Sequence, residues 1–287
     1  MQVNLSLPGL NWRYLKNTIG MGALWFCGLL TIAVMLLITA YILWNGLPSV
    51  SWEFLTTEPA GREGGIFSTI VATLFITVIA LLVSAPLSIL GAVYMAEYAG
   101  ENRLTQLVRF GADSLAGIPS ILIGLFGFLL FVTNLGFGFS LVSGSLAVAV
   151  MALPITLRVS EEAIKVVPES YKHGSLALGS TKWQTIRKVV LPTALPGIIT
   201  GIMLSMGRII GETAVFLLTT GSVLRLPLSP FDPCRPMTVH AYILATENIS
   251  LSKAFGTAAT LLIIVLAITL TSNYVTRRYL RKMGGGR

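Results

Sequence analysis

Few residues of this chain carry charge. Asp, Glu, Lys and Arg make up 11% of its 287 residues, against about 25% in an ordinary soluble domain, which excludes a conventional water-soluble fold. Cysteine is nearly absent: Cys27 lies in an apolar run and Cys234 in a polar segment far from it, so no disulfide is expected. His173 and His240 stand alone, and no spacing of His, Cys, Asp or Glu suits a metal. A Gly-x-x-x-x-Gly-Lys-Ser/Thr phosphate loop is missing, as is any nucleophile–base–acid constellation. The chain is therefore expected to bind no cofactor, metal or nucleotide of its own and to be no enzyme. Basic residues are not interleaved with aromatic ones, which speaks against nucleic-acid binding.

Apolar residues are plentiful, at 54%. Six apolar runs can be marked, at about 20–44, 67–95, 109–132, 141–157, 195–220 and 255–275. Most reach the ~20 residues that cross a bilayer as a helix; the fourth is the shortest and carries Pro154. The first is too long for a signal-peptide core and is read as a retained anchor. The expected fold is all-α, a polytopic membrane protein of six transmembrane helices forming one domain over 1–287. Basic residues set the orientation. With both ends cytoplasmic, external loops hold only Arg62, Arg225, Arg235 and Lys253 of the 20 Lys and Arg, Arg208 lies in the membrane, and the other fifteen are internal. The net charge of +8 then anchors the chain at an anionic inner leaflet.

The longest internal segment, 159–192, reads as two amphipathic helices. Pro168 suits the start of one, Gly179 separates them, and Ser180 or Thr181 can cap the second. Such a hairpin needs a membrane surface or a partner protein to lie against. The external segment 222–254 contains Pro227, Pro230, Pro233 and Pro236 and then a short helical stretch, MTVHAYILATEN, and is read as a cover over the outer face.

Two charges interrupt the fifth run, in GRIIGETAVFLL at 207–218. Arg208 and Glu212 are four apart, so on a continuous helix they share one face. Each charge costs about 2.5–3.5 kcal/mol at mid-membrane on insertion scales, and this cost singles the pair out as a polar pathway. An anion would meet Arg208, while Glu212 would hold that side chain when the path is empty. Arg158 is placed at the inner end of the fourth helix as a residue snorkelling to the cytoplasmic interface; similarity to a known family leaves a role at the inner mouth of the path open. Asp113 is read as a cap at the start of the third helix, and Glu97 as an interfacial acid or a partner for a neighbouring Arg. Gly197, Gly201, Gly207 and Gly211 give small-residue spacings suited to close helix packing.

Several motifs resemble those of a known family. Gly179 is followed at the spacing of the ABC-importer permease signature by Val189, Val190, Leu191 and Pro192; where that signature has Glu-Ala-Ala, this chain has His173, Gly174 and Ser175. ADSLAGIPSILIGLF at 112–126, AVYMAEYAG at 92–100, LPITLRVSEEAI at 153–164, GRIIGETA at 207–214 and PMTVHAY at 236–242 are similar to the permeases of phosphate-specific ABC importers, PstA type. The resemblance covers roughly residues 20–280. It implies a multi-pass inner-membrane subunit that passes inorganic phosphate and pairs with a homologous PstC-type permease. Two copies of an ATP-binding subunit would hydrolyse ATP with Mg, and an external phosphate-binding protein would deliver the substrate. Residues 165–188 would couple to the ATPase, with His173, Gly174, Ser175, Gly179, Val189, Leu191 and Pro192 at the docking segment. An Arg does not itself separate tetrahedral oxyanions, so molybdate, sulfate or phosphonate permeases are the nearest rivals. A stand-alone secondary transporter would show an internal repeat with matching broken helices, and none is evident.

Overall fold

The computed structural model describes residues 12–60, 64–100 and 102–284. Arg62 and Arg287, both counted among the 20 basic residues, lie outside the described residues. Among the described residues every regular element is helical. Helix α1 (Trp12–Gly46) leads to the short α2 (Trp52–Thr56), and α3 (Phe67–Val93) continues through a π-helical turn at Tyr94–Tyr98. Helix α4 (Arg103–Gly117) is followed by α5 (Ser120–Gly127), which runs on as a π-helix over Phe128–Asn134. Then come α6 (Leu141–Lys165), α7 (Glu169–Ala177) and α8 (Lys182–Thr185), a π-helical turn at Ile186–Val190, and α9 (Leu191–Ile210). Helices α10 (Ala214–Thr219), α11 (Met237–Thr246) and α12 (Leu251–Gly284) complete the chain.

Five stretches are long and apolar enough to span a bilayer: Lys16–Ser49, Phe67–Tyr98, Leu141–Lys165, Lys182–Ile210 and Leu251–Arg278. The sixth expected span is a bent pair, Arg103–Gly117 with Ser120–Asn134, inclined at 102°. The bend falls at Ile118-Pro119, both in extended conformation; a residue before proline is pushed out of the helical region. The third run is thus a broken one, and its first half starts at Arg103, earlier than the apolarity suggests. The fourth span is longer than its apolar run, extending past Arg158 to Lys165.

Helices α3 and α6 share the largest helix–helix contact and form the centre, and α9 packs on α6 and, to a lesser extent, on α3. Apolar packing alone gives little drive between helices in lipid, so small residues and hydroxyls matter. Ser88 Oγ donates to the Leu153 carbonyl at 3.0 Å, and Thr156 and Ser205 share a hydroxyl–hydroxyl bond of 2.6 Å across α6 and α9. Gly197 and Gly201 fit the same seam: a Cβ on Gly197 would collide with the Ala163 methyl, and one on Gly201 would sit 3.1 Å from Val159 Cβ. Gly207 has open space and Gly211 ends α9, so half of the small-residue pattern is helix packing.

The proline-rich segment 222–236 lies over the start of α6. The Leu141 and Val142 amides donate to the Asp232 and Pro230 carbonyls, each at 2.9 Å. Both cysteines are free thiols, Cys27 exposed on α1 and Cys234 buried in this segment. Burial, and then the nearby Asp232 carboxylate, push the Cys234 thiol up to about 12.

Candidate functional site

Arg208 and Glu212 do not share a helix face. Helix α9 ends at Ile210, Gly211 forms its cap, and α10 starts at Ala214. The Glu212 carboxylate accepts the amides of Thr213, Ala214 and Val215 at 3.2, 3.1 and 3.4 Å. Satisfying the free amides at a helix start commits that acid to the break itself, which corrects the expected intrahelical pair. Its carbonyl accepts the Thr238 hydroxyl at 2.6 Å, fixing the break against α11. Arg208, in the last turn of α9, is exposed. The negative end of a helix favours a cation there. Among the described residues its guanidinium makes no hydrogen bond or ion pair.

Arg158 is in mid-helix rather than at a helix end. Its guanidinium grips Asp113 of α4 with two hydrogen bonds, Nε to Oδ1 at 2.9 Å and Nη2 to Oδ2. Asp113 therefore sits inside α4 and pairs, which corrects the capping role. Four residues earlier on α4, Arg109 reaches Glu161 Oε1 through Nε and Nη2 at 2.9 and 2.6 Å, and Lys165 Nζ reaches the same oxygen at 2.8 Å. The charges are crossed, positive then negative on α4 and positive then negative on α6. A lone Asp in an apolar run is a sequence signal for such a partner, but the partner is 45 residues away and only the fold reveals it.

The segment expected to dock forms the hairpin α7–α8. Gly179 takes a left-handed conformation (φ +84°) between the helices. Thr181 caps α8 in a reciprocal box with Gln184, as the sequence suggests, and Ser175 and Thr185 hydroxyls join the two helices at 3.0 Å. His173 and Gly174 are exposed on α7. Val189, Leu191 and Pro192 are half-buried where the hairpin runs into α9, and Leu191 packs on the cluster of Val93, Ile164, Ile186 and Val190. Tyr171, Leu176, Leu178 and Trp183 are exposed apolar side chains of the hairpin, a patch of the kind that marks a protein contact.

Two residues at the end of α3 hold this hairpin, and neither stood out in the sequence as doing so. Lys172 Nζ lies 2.7 Å from Glu97 Oε1 and 3.0 Å from Glu169 Oε1. Burial works against the Lys172 charge, but its hydrogen bonds with Glu97 and Glu169 outweigh that and raise its pKa above the usual value. Lys182 Nζ sits 4.7 Å from the centre of the Tyr98 ring.

Comparison with known proteins agrees with this architecture. Residues 88–284 match the family described as binding-protein-dependent transport system inner membrane component. The probable ABC transporter permease protein YqgI of Bacillus subtilis (strain 168) is 34% identical over 289 residues, covering 94% of this chain and 98% of that protein. The phosphate transport system permease protein PstA 1 of Mycobacterium tuberculosis (strain CDC 1551 / Oshkosh) is 36% identical over 217 residues, 75% of this chain and 71% of that protein. A bacterial alginate ABC transporter, solved in complex with alginate pentasaccharide-bound periplasmic protein, shares the fold at a TM-score of 0.65 and 18% identity, over 92% of this chain and 97% of that one.

Proposed function

Because the chain belongs to the binding-protein-dependent transport inner membrane components, we propose that it is the PstA-type permease of an ATP-driven importer of inorganic phosphate. The identity to a phosphate permease over 75% of the chain supports the substrate. The observation that carries the mechanism is Arg208, an exposed guanidinium without a protein partner among the described residues, beside a break in an otherwise apolar span. A guanidinium stays charged at any physiological pH and offers a planar fork of donors that matches phosphate oxygens.

In this reading Arg208 contacts the passing anion, and Glu212 acts one step removed by fixing the break that presents Arg208. Arg158 stands at the inner mouth, its fork held by Asp113. Hairpin and chain ends face the cytoplasm, the side the basic residues favour. The hairpin, with its exposed Leu178 and Trp183, lodges in one of two ATP-binding subunits, which hydrolyse ATP with Mg; this chain supplies no catalytic group and binds no cofactor. His173, Gly174 and Ser175 replace the signature's acidic start, so docking rests on the apolar patch and on the hairpin's basic residues. A homologous PstC-type subunit completes the pathway, and an external phosphate-binding protein delivers the substrate. ATP-driven closure of the ATPase pair shifts the hairpin as a rigid body and exposes Arg208 to each side in turn.

Uptake of radiolabelled phosphate by cells that depend on this complex tests the reading, with Arg208→Gln and Arg208→Lys at matched membrane levels. Loss with Gln and partial retention with Lys is the expected result. Unchanged uptake in both removes Arg208 from the path.

A further inference from the structure

Helix α3 meets the hairpin at one end through its π-helical continuation Tyr94–Tyr98, and at the other it is bonded to α11, which in turn is bonded to Glu212 at the α9–α10 break. At its hairpin end, consecutive residues each hold one hairpin helix: Glu97 pairs with Lys172 of α7 at 2.7 Å, and Tyr98 lies under Lys182 of α8 at 4.7 Å. Both side chains of the ion pair are nearly buried, Glu97 at 9% and Lys172 at 12% exposure. Little water is therefore present to screen them, and separating them is costly. The Ser175–Thr185 bond closes the hairpin on itself, so its two helices move as one body.

At the far end, Thr73 Oγ1 accepts the Met237 amide at 2.9 Å, and the next residue, Thr238, donates to the Glu212 carbonyl at 2.6 Å. From Thr73 to Glu97 the helix is about 36 Å long at ~1.5 Å per residue. In between, Ser88 ties it to α6 just beyond Pro86. Packed and bonded groups attached to a continuous element are one physical carrier of coupling over such a distance, and α3 supplies one.

We propose that Glu97 and Lys172 are positioning residues that make α3 the rod by which hairpin movement reaches the Arg208–Glu212 break. This rests on the reading of the chain as an ATP-coupled permease. Neither residue contacts substrate or nucleotide. Their joint role is to keep hydrolysis and translocation in step, so loss of the pair leaves the ATPase turning over while less phosphate moves for each ATP.

The test uses the full complex in proteoliposomes, measuring ATP hydrolysed and phosphate transported in the same sample. Glu97→Gln and Lys172→Met are each expected to lower the phosphate-to-ATP ratio about five-fold, the lower end of common coupling effects. Hydrolysis itself should stay near wild type. The double variant should fall no further than either single one, and Lys172→Arg should keep the ratio. An unchanged ratio in the single variants overturns the proposal, as does a double variant showing the product of both losses. Failure of the variants to assemble marks the pair as a folding contact and overturns it too. A wild-type complex that hydrolyses ATP but moves no phosphate would instead reject the phosphate reading itself.

Discussion

Arg109 and Glu161 meet between α4 and α6, with two guanidinium nitrogens on one carboxylate oxygen at 2.9 and 2.6 Å. Glu161 is nearly buried and also receives Lys165 at 2.8 Å. Without Glu161, Lys165 is 43% exposed and can turn to water, but Arg109, at 17%, is left largely buried without its carboxylate, and breaking a buried pair in this way costs up to about 3 kcal/mol. Glu161→Ala should therefore lower the thermal midpoint of the purified complex by several degrees. Glu161→Asp should recover part of the loss. A midpoint unchanged in the alanine variant would show that α4 is held to α6 without this group.

Glu212 offers a separation of roles. Its carboxylate accepts three amides at the start of α10, and a lost helix-start acceptor costs about 1 kcal/mol. Glu212→Gln keeps a side-chain oxygen acceptor and should hold membrane levels of the subunit near wild type, whereas Glu212→Ala should lower them. Equal levels in both variants, on a quantitative immunoblot, would contradict the capping role.

His240 on α11, a ten-residue helix too short to span a bilayer, gives a pH dependence. Burial first, then the charges of Arg235 and Lys253, lower its pKa from 6.5 to about 4. An unfolded chain takes up the proton near 6.5 while the folded one stays neutral, so stability is full above pH 6.5 and is lost as pH falls towards 4. The loss is on the order of 3 kcal/mol, at about 1.4 kcal/mol per pKa unit. Thermal melts in detergent across this window should show the decline, and His240→Leu should flatten it. A decline equally steep in the leucine variant would point to other groups.

Gly197 tests the α6–α9 seam. Its Cβ position is taken by the Ala163 methyl, so Gly197→Val forces the helices apart and should cost about 1–3 kcal/mol by overpacking. Gly207→Ala, in open space, should be close to neutral. Comparable melting midpoints for the two variants would count against close packing at Gly197.

Local signals carried much of the fold. Pro168, Gly179 and a cap at Ser180 or Thr181 mark the hairpin helices because each acts within its own turn. The MTVHAYILATEN stretch forms α11 as its composition suggests. The breaks were harder to see. Pro119 and Gly211 stand where the helices break, but the apolarity around them continues, and hydropathy does not distinguish a straight span from one bent by 102°. The Arg208–Glu212 spacing suggested a pair only on the premise of an unbroken helix. Cross-helix partners such as Asp113–Arg158 and Glu97–Lys172 depend on which helices become neighbours, and no local rule supplies that.

The two free thiols bear on how movement in this molecule can be followed. Alkylating reagents attack the thiolate, and a thiol at about 12 is ionised to about one part in 10⁵ at pH 7. Cys234 is therefore silent to maleimide probes while the protein stays folded, and Cys27 lies well inside the membrane-spanning stretch Lys16–Ser49, facing lipid rather than water. Changing Cys27 to serine leaves a background against which spin labels or fluorophores on the hairpin and near the α9–α10 break can report their separation during ATP turnover.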